Sequence, residues 1–432
     1  MTGTISYSRP QGSVSAVERA EVKRIGFSTL AAFAGCFFAC RTSFVLIAAR
    51  WINIGTVPGV LAGLGISVTL LSVALVAGCG PRSHSTEWIL QARPLQRVVL
   101  YIAFAGCSLL WSASADPAAS AMYWCGLVLD VATVVLLCRA CGKECAAHSL
   151  MKGFIAGSVL LAAMAWMMPA AEDLRLGDLD YFNTNQIANL CTLAILMCTL
   201  LASRGDSVSQ FAAPILAITL FRSLSKATLI AFVAAQVYRL ASDSAMSARK
   251  KWLLVSGSAV LTICFWGVVD AYFGIYTATG NQAETLTGRT AIWAWSLDAG
   301  LTRPWFGNGF DAMWKVAPPF GGELFEARHA ENELLQQFFA YGACGVALLM
   351  GVYGSLYRRC RLLPQGSERS ILISFLVFVL VRGLAEAEPF DLLLPLWLIA
   401  ALAPLVEEGR APRRDMSMQP EYLSNASAAP AI

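Results

Sequence analysis

Charged residues are scarce in this sequence. They make up 14% of its 432 residues, against about 25% in an ordinary soluble domain. That is too little polar surface to cover a chain of this length in water, which excludes a soluble enzyme and a disordered chain. The 13 cysteines are scattered, and most, such as Cys36, Cys40, Cys107, Cys125, Cys191, Cys198 and Cys264, sit inside apolar runs. There a cysteine behaves as a small hydrophobe, so a disulfide-stapled secreted domain is excluded as well. Histidine is scarcer still, with His84, His148 and His329 alone. Residues 1–20 are polar and lack the apolar core of a signal peptide, so the first apolar run is expected to target the chain. No repeat of fixed period is visible.

What is abundant is apolar mass. Hydrophobic residues make up 57% of the chain, with 12 Trp, 22 Phe and 12 Met, and the mean hydropathy is +0.59. Twelve apolar segments stand out, near 26–48, 57–79, 97–113, 119–138, 153–170, 186–203, 209–221, 227–242, 252–274, 336–356, 370–384 and 391–406. Segments seven and eight are short enough to be half-spans. The expected fold is all-α, a polytopic helical membrane protein of about twelve transmembrane helices. One large loop, 275–335, separates spans nine and ten. Residues 1–25 and 407–432 are expected to be cytoplasmic tails flanking a bundle over 26–406.

Charge sets the orientation. With both termini inside, 22 of the 32 basic residues fall on cytoplasmic loops or tails, and flipping the chain would break the positive-inside rule at most loops. Asp130 lies within the fourth span. A carboxylate is costly there, so it is expected to be paired or to face a polar cavity. Cys138, Cys141, Cys145 and His148 superficially resemble a metal site, but on one continuous helix they would climb a single stripe and could not surround an ion.

The loop from Ile275 to Leu335 carries most of the polar residues of the outer face and eight Trp and Phe residues, among them Trp293, Trp305 and Phe310. That density suggests a folded element at the membrane interface. Thr287 to Gly300 reads as a short helix capped by Thr287, with Trp293 and Leu297 on one side. Three outer sets break the charge pattern. Arg222 and Lys226 flank a tight turn and could hold an anionic group such as a diphosphate; the alternative is a shifted helix boundary with snorkelling side chains. Arg382 and Glu386 stand at i, i+4 at the end of the eleventh span, where a plain ion pair is the alternative to a site. The loop adds Arg289, Arg303, Lys315 and Arg328. His329, Glu331, Asn332 and Glu333 supply general-base candidates and hydrogen-bonding groups just before the tenth span. The bland alternative is a solvated lead-in to a helix.

Several motifs together resemble a known family. Gly288-Arg289-Thr290-Ala291-Ile292-Trp293, followed by Arg303-Pro304-Trp305-Phe306-Gly307-Asn308-Gly309-Phe310, is similar to the start of the large periplasmic loop in the O-antigen ligase and Wzy-type polymerase superfamily. His329 to Gln336 and Tyr341-Gly342-Ala343-Cys344-Gly345 resemble the end of that loop and the next span. Ser223 to Thr228 resembles the turn before the middle span, and Asn183-Thr184-Asn185 the start of an earlier one. The resemblance covers roughly 180–350.

It implies glycosyl transfer from a polyprenyl-diphosphate-linked oligosaccharide at the periplasmic face of a bacterial inner membrane. It implies no metal, nucleotide or other cofactor, and no nucleic acid. Flippase and chain-length-regulating membrane proteins are expected partners, besides the bilayer. The residues it carries over to the diphosphate are Lys226 and Arg289, with Arg222 and Arg303 as helpers. Asn185, Asn332, Arg382 and Glu386 are further candidates for substrate binding. Ligases place a His directly before Asn or a similar residue, then nine residues, then Gly-x-x-Gly. Here Glu331-Asn332 keeps that spacing to Gly342 and Gly345 with Glu in place of the His, and His329 lies two residues earlier. The departure favours a repeat-unit polymerase over a ligase. The base is His329 or Glu331, and the imidazole's titration nearer neutrality favours His329. A twelve-span transporter or flippase is the reading of another class, but no half-repeat supports it.

Overall fold

The computed structural model describes residues 16–78, 87–168, 174–177, 182–271, 286–320 and 327–408. Every regular element among these residues is helical. In chain order they are α1 (Ala16–Leu46, continued by a π-helical turn Ile47–Trp51), α2 (Thr56–Gly78), α3 (Glu87–Gln91), α4 (Arg93–Ser108), α5 (Pro117–Cys141), α6 (Lys143–Met167) and α7 (Thr184–Ser203). There follow α8 (Ala212–Ser223), α9 (Lys226–Ser242), α10 (Ala248–Cys264), α11 (Leu286–Leu301), α12 (Glu333–Leu362), α13 (Ser367–Arg382) and α14 (Leu396–Glu408).

Six helical stretches are long and apolar enough to cross a membrane: Gly26–Trp51, Thr56–Gly78, Pro117–Cys141, Lys143–Met167, Thr184–Ser203 and Glu333–Leu362. The other predicted segments coincide with helices of 12 to 17 residues. At 1.5 Å per residue the shortest, α8 with 12 residues, spans about 18 Å of an apolar core about 30 Å thick. Large apolar side chains remain exposed on the outside, including Val76, Phe211, Trp252 and Ile263, and α10 buries none of its residues. Lipid is the solvent that makes such a surface favourable. The protein is a helical membrane protein.

Small residues set the closest packing. On α1 and α6, a Cβ on Gly35 would lie 2.0 Å from the Leu150 carbonyl oxygen, and one on Gly153 would lie 1.7 Å from that of Ala32. With Gly157 one turn on, this is the small-xxx-small contact that lets two helix backbones touch where lipid supplies no hydrophobic drive. Asp130 is buried and pairs with the Arg41 guanidinium, so the expected pairing of this intramembrane acid is met from α1.

α1 begins at Ala16, and its apolar span at Gly26. Two expectations are corrected. The Cys138–His148 stretch is not one helix, because the chain breaks at Gly142 between α5 and α6; the cysteines are free thiols and His148 lies 3.2 Å from Asp206. α11 starts at Leu286, so Thr287 falls inside it, and the Thr287 side chain lies outside the described residues. The buried side of α11 carries Ile292, Trp295, Ser296 and Ala299, while Leu297 is exposed.

Candidate functional site

The site is built where the beginnings of α7, α9 and α12 meet the chain leaving α13. Asn183 caps α7, its side chain accepting from the Asn185 amide at 2.8 Å. Thr184 donates to the Ser223 carbonyl at 2.7 Å and so ties the start of α7 to the end of α8. Leu224 takes a left-handed conformation, φ 57°, which turns the chain sharply into α9 at Lys226. Asn332 caps α12 by accepting from the Leu335 amide at 3.1 Å and donates to the Leu384 carbonyl at 3.1 Å. The Glu333 amide donates to the Gly383 carbonyl at 2.8 Å, locking α12 against the end of α13. Helix starts present unpaired amides and a positive dipole end, so their convergence favours an anion.

Into this frame project the charged side chains. Glu386 accepts from the Asn185 amide nitrogen at 2.7 Å and lies 3.2 Å from Arg289. The same Arg289 nitrogen lies 3.5 Å from Glu331, and Glu331 approaches His329 Nδ1 at 3.8 Å. Asn185 also accepts from Ser225 at 2.7 Å, and the Thr228 hydroxyl, 2.9 Å from Ser225, completes the chain by donating to it. Arg382, 1% exposed, pairs with Glu388 at 3.5 Å and donates to Thr228 at 3.3 Å and the Asn185 carbonyl at 3.5 Å. Five elements thus meet in one hydrogen-bonded network.

The electrostatics follow from burial. Burial pushes the Glu331 carboxyl above its ordinary range, against the pull of Arg289 and Arg382. Burial, reinforced by Glu331, does the same to Glu386, with Arg382, His329 and Arg289 pulling the other way. Burial lowers the His329 imidazole, opposed by Glu386 and Glu388, so it stays neutral in neutral solution. Lys226 is lowered by burial and by the nearby cations Arg175 and Arg289.

The structure therefore brings together Asn185, Lys226, Arg289, His329, Glu331, Arg382 and Glu386 from sequence positions up to 201 residues apart. It places three other candidates differently. Arg303 lies exposed just after α11, with no hydrogen bond or ion pair to the cluster among the described residues. The Asn332 side chain is committed to its helix cap. The Arg222 guanidinium donates to the Leu174 carbonyl and pins the segment that carries Arg175. Arg382 and Glu386 do not stand on one helical turn, because α13 ends at Arg382; their ion pairs are with Glu388 and Arg289. Sequence reasoning missed Glu388 and Arg175. The signal for Glu388 was its place two residues after Glu386, and for Arg175 its position as a lone cation beside the start of α7. Among the described residues no group of three or more His, Cys, Asp or Glu is placed to hold a metal ion.

The glycine motifs have a structural part in this frame. The Pro304 and Trp305 carbonyls accept from the Ala343 and Cys344 amides at 2.7 and 3.2 Å, while the Asn308 and Gly309 amides donate to Phe339 and Ala340 at 2.9 and 2.7 Å. This docking is possible because α12 breaks at Gly342, φ 64°. A Cβ there would lie 2.4 Å from the Trp305 carbonyl carbon, and one on Gly307 would lie 2.4 Å from the Tyr341 nitrogen.

Comparison with known proteins agrees with the motif reading. Residues 211–350 match the family model described as O-antigen ligase. That stretch contains Arg222, Lys226, Arg289, Arg303, His329, Glu331 and Asn332, whereas Asn185, Arg382 and Glu386 lie outside it. No curated protein matches the chain.

Proposed function

From the similarity of residues 211–350 to the O-antigen ligase family, we propose that this membrane protein polymerises polyprenyl-diphosphate-linked oligosaccharide repeat units. The reaction would run at the periplasmic face of the bacterial inner membrane, with the twelve apolar segments as spans and both termini inside. The observation that carries this reading is the cation cluster of Arg289, Arg382 and Lys226 among three helix starts, beside the His329–Glu331 pair. The leaving group is a diphosphate, and prepositioned cations and helix dipoles stabilise the charge that grows on it as the glycosidic bond breaks. The acceptor hydroxyl must lose its proton to a neighbouring base, which the His329–Glu331 pair supplies. Fixed cations give this site electrostatic assistance from side chains alone. A flippase would deliver the donor, and a chain-length-regulating membrane protein would set product size.

Glu331, standing where ligases carry a His, supports polymerisation over ligation to lipid A-core. Two measurements test the proposal. Purified protein with a lipid-linked oligosaccharide, without ATP, nucleotide sugar or metal, is expected to yield elongated glycan, and Arg289→Ala to lower that rate by about 100-fold or more. In a deletion strain, single repeat units mark loss of polymerisation. Full-length polymer left on its lipid carrier marks loss of ligation and would refute the polymerase assignment. A twelve-span flippase would instead show lipid-linked units moving across the bilayer without elongation.

A further inference from the structure

Two groups stand where an acceptor hydroxyl would be deprotonated, and their hydrogen bonds separate them. The Glu331 backbone amide donates to His329 Nδ1 at 3.3 Å. A nitrogen that accepts carries no proton, so the neutral imidazole holds its hydrogen on Nε2. In that tautomer the ring's one lone pair is already engaged, and the side chain offers the substrate a donor. Glu331 differs. Its amide and carbonyl are both held, the carbonyl accepting from Trp293 Nε1 at 3.2 Å, but among the described residues no donor is bonded to its carboxylate more closely than Arg289 at 3.5 Å. Its backbone sits at φ 51°, a left-handed conformation that is costly for a residue other than glycine and persists where the surroundings enforce it.

We propose that Glu331 is the general base of the transfer reaction, and that Arg289 restrains it until the donor diphosphate binds. This rests on the proposed function above. One Arg289 nitrogen is shared between Glu386 and Glu331, at 3.2 and 3.5 Å. Glu386 is fixed by Asn185 at 2.7 Å, whereas Glu331 is the looser partner. A diphosphate offers the guanidinium fork more charge and a better bidentate fit than either carboxylate, and so draws Arg289 away. Glu331 then loses its counter-cation beside a new anion and becomes more basic. Its carboxylate takes the acceptor hydroxyl's proton as that oxygen bonds to the donor's anomeric carbon. The bond from that carbon to the diphosphate oxygen breaks, its electron pair leaves with the polyprenyl diphosphate, and the proton on Glu331 passes to water. His329 Nε2–H serves as a positioning donor. The groups facing Glu331 that set its titration are Arg289 and Arg382, with burial the larger influence; those facing His329 are Glu386, Glu388, Arg382 and Arg289.

The test uses full-length protein in liposomes with a lipid-linked oligosaccharide, comparing pH–rate profiles and donor binding, with thermal melts to confirm folding. Glu331→Gln is expected to lose about 100-fold or more in turnover while binding the donor at least as tightly as wild type, because a competitor for Arg289 is gone. Glu331→His is expected to recover part of that turnover with its acid limb moved toward the imidazole range. His329→Gln, which keeps one acceptor and one donor, is expected to slow the reaction several-fold and leave the acid limb in place. The assignment is overturned if folded Glu331→Gln turns over within about threefold of wild type, or if His329→Gln removes the acid limb. A wild-type protein that neither elongates nor transfers the oligosaccharide overturns the proposed function itself, a different result from wild-type turnover with an active Glu331→Gln.

Discussion

At the scale of single residues, the site is a set of charges whose partners are shared. Asn185 joins both halves of the network, donating to Glu386 at 2.7 Å and accepting from Ser225 at 2.7 Å. Asn185→Ala removes both bonds from a buried place, leaving Glu386 to Arg289 and Ser225 to Thr228, and a loss of about 1–3 kcal/mol in stability is expected, with turnover lowered about 10-fold as Glu386 loosens its hold on Arg289; melts and steady-state kinetics check both. Asn332 is expected to behave otherwise. Its side-chain oxygen caps α12, so Asn332→Ala should cost about 1 kcal/mol, and Asn332→Ser, which still caps, should restore both stability and activity. Failure of the serine variant to restore turnover would instead place Asn332 in contact with substrate.

At the scale of elements, backbone approach decides more than propensity. The docking of 304–309 onto the broken α12 depends on Gly342 at φ 64° with backbone 2.4 Å from any added Cβ. Gly342→Ala is expected to lower stability by about 2 kcal/mol or more, visible as a lower melting temperature in detergent. The turn after α7 gives a pH-dependent prediction. Asp206 accepts from Lys152 at 2.8 Å, and that bond leads the set that holds its carboxyl down to about 2, below its ordinary 3.8. The folded state binds this proton less readily than the unfolded chain does. The stability Asp206 contributes is therefore present above pH 3.8 and is lost as pH falls toward 2. Asp206→Asn should flatten that part of the stability profile, measured as melting temperature between pH 5 and pH 2.5.

At the scale of the whole molecule, the bundle holds a charged network at one end of helices whose outer surface is apolar. Orientation gives the last prediction: reporter fusions at the Arg204–Ser207 turn should read as cytoplasmic, and those after Arg303 as periplasmic. Both signals reversed would move the charged network to the cytoplasmic side and remove the basis for periplasmic transfer.

The sequence by itself determined that this is a helical membrane protein, because the scarcity of charge and the length of the apolar runs leave lipid as the only solvent for its surface. Its motifs also named Lys226, Arg289, His329 and Glu331, since cations beside a base stand out where charge is rare. Spacing could not show which of these meet. Arg382 and Glu386 suggested a pair on one helical turn, yet the helix ends between them and each charge finds its partner on another element. Arg303 looked equivalent to Arg289 but lies exposed beyond the cluster. The tertiary structure alone decided that Asn185 and Glu386, 201 residues apart, share a bond, and that the Glu331 amide engages His329 Nδ1. The physical reason is that local pattern encodes burial and helix phase, whereas the pairing of buried charges depends on which helix ends the packing brings within hydrogen-bond reach.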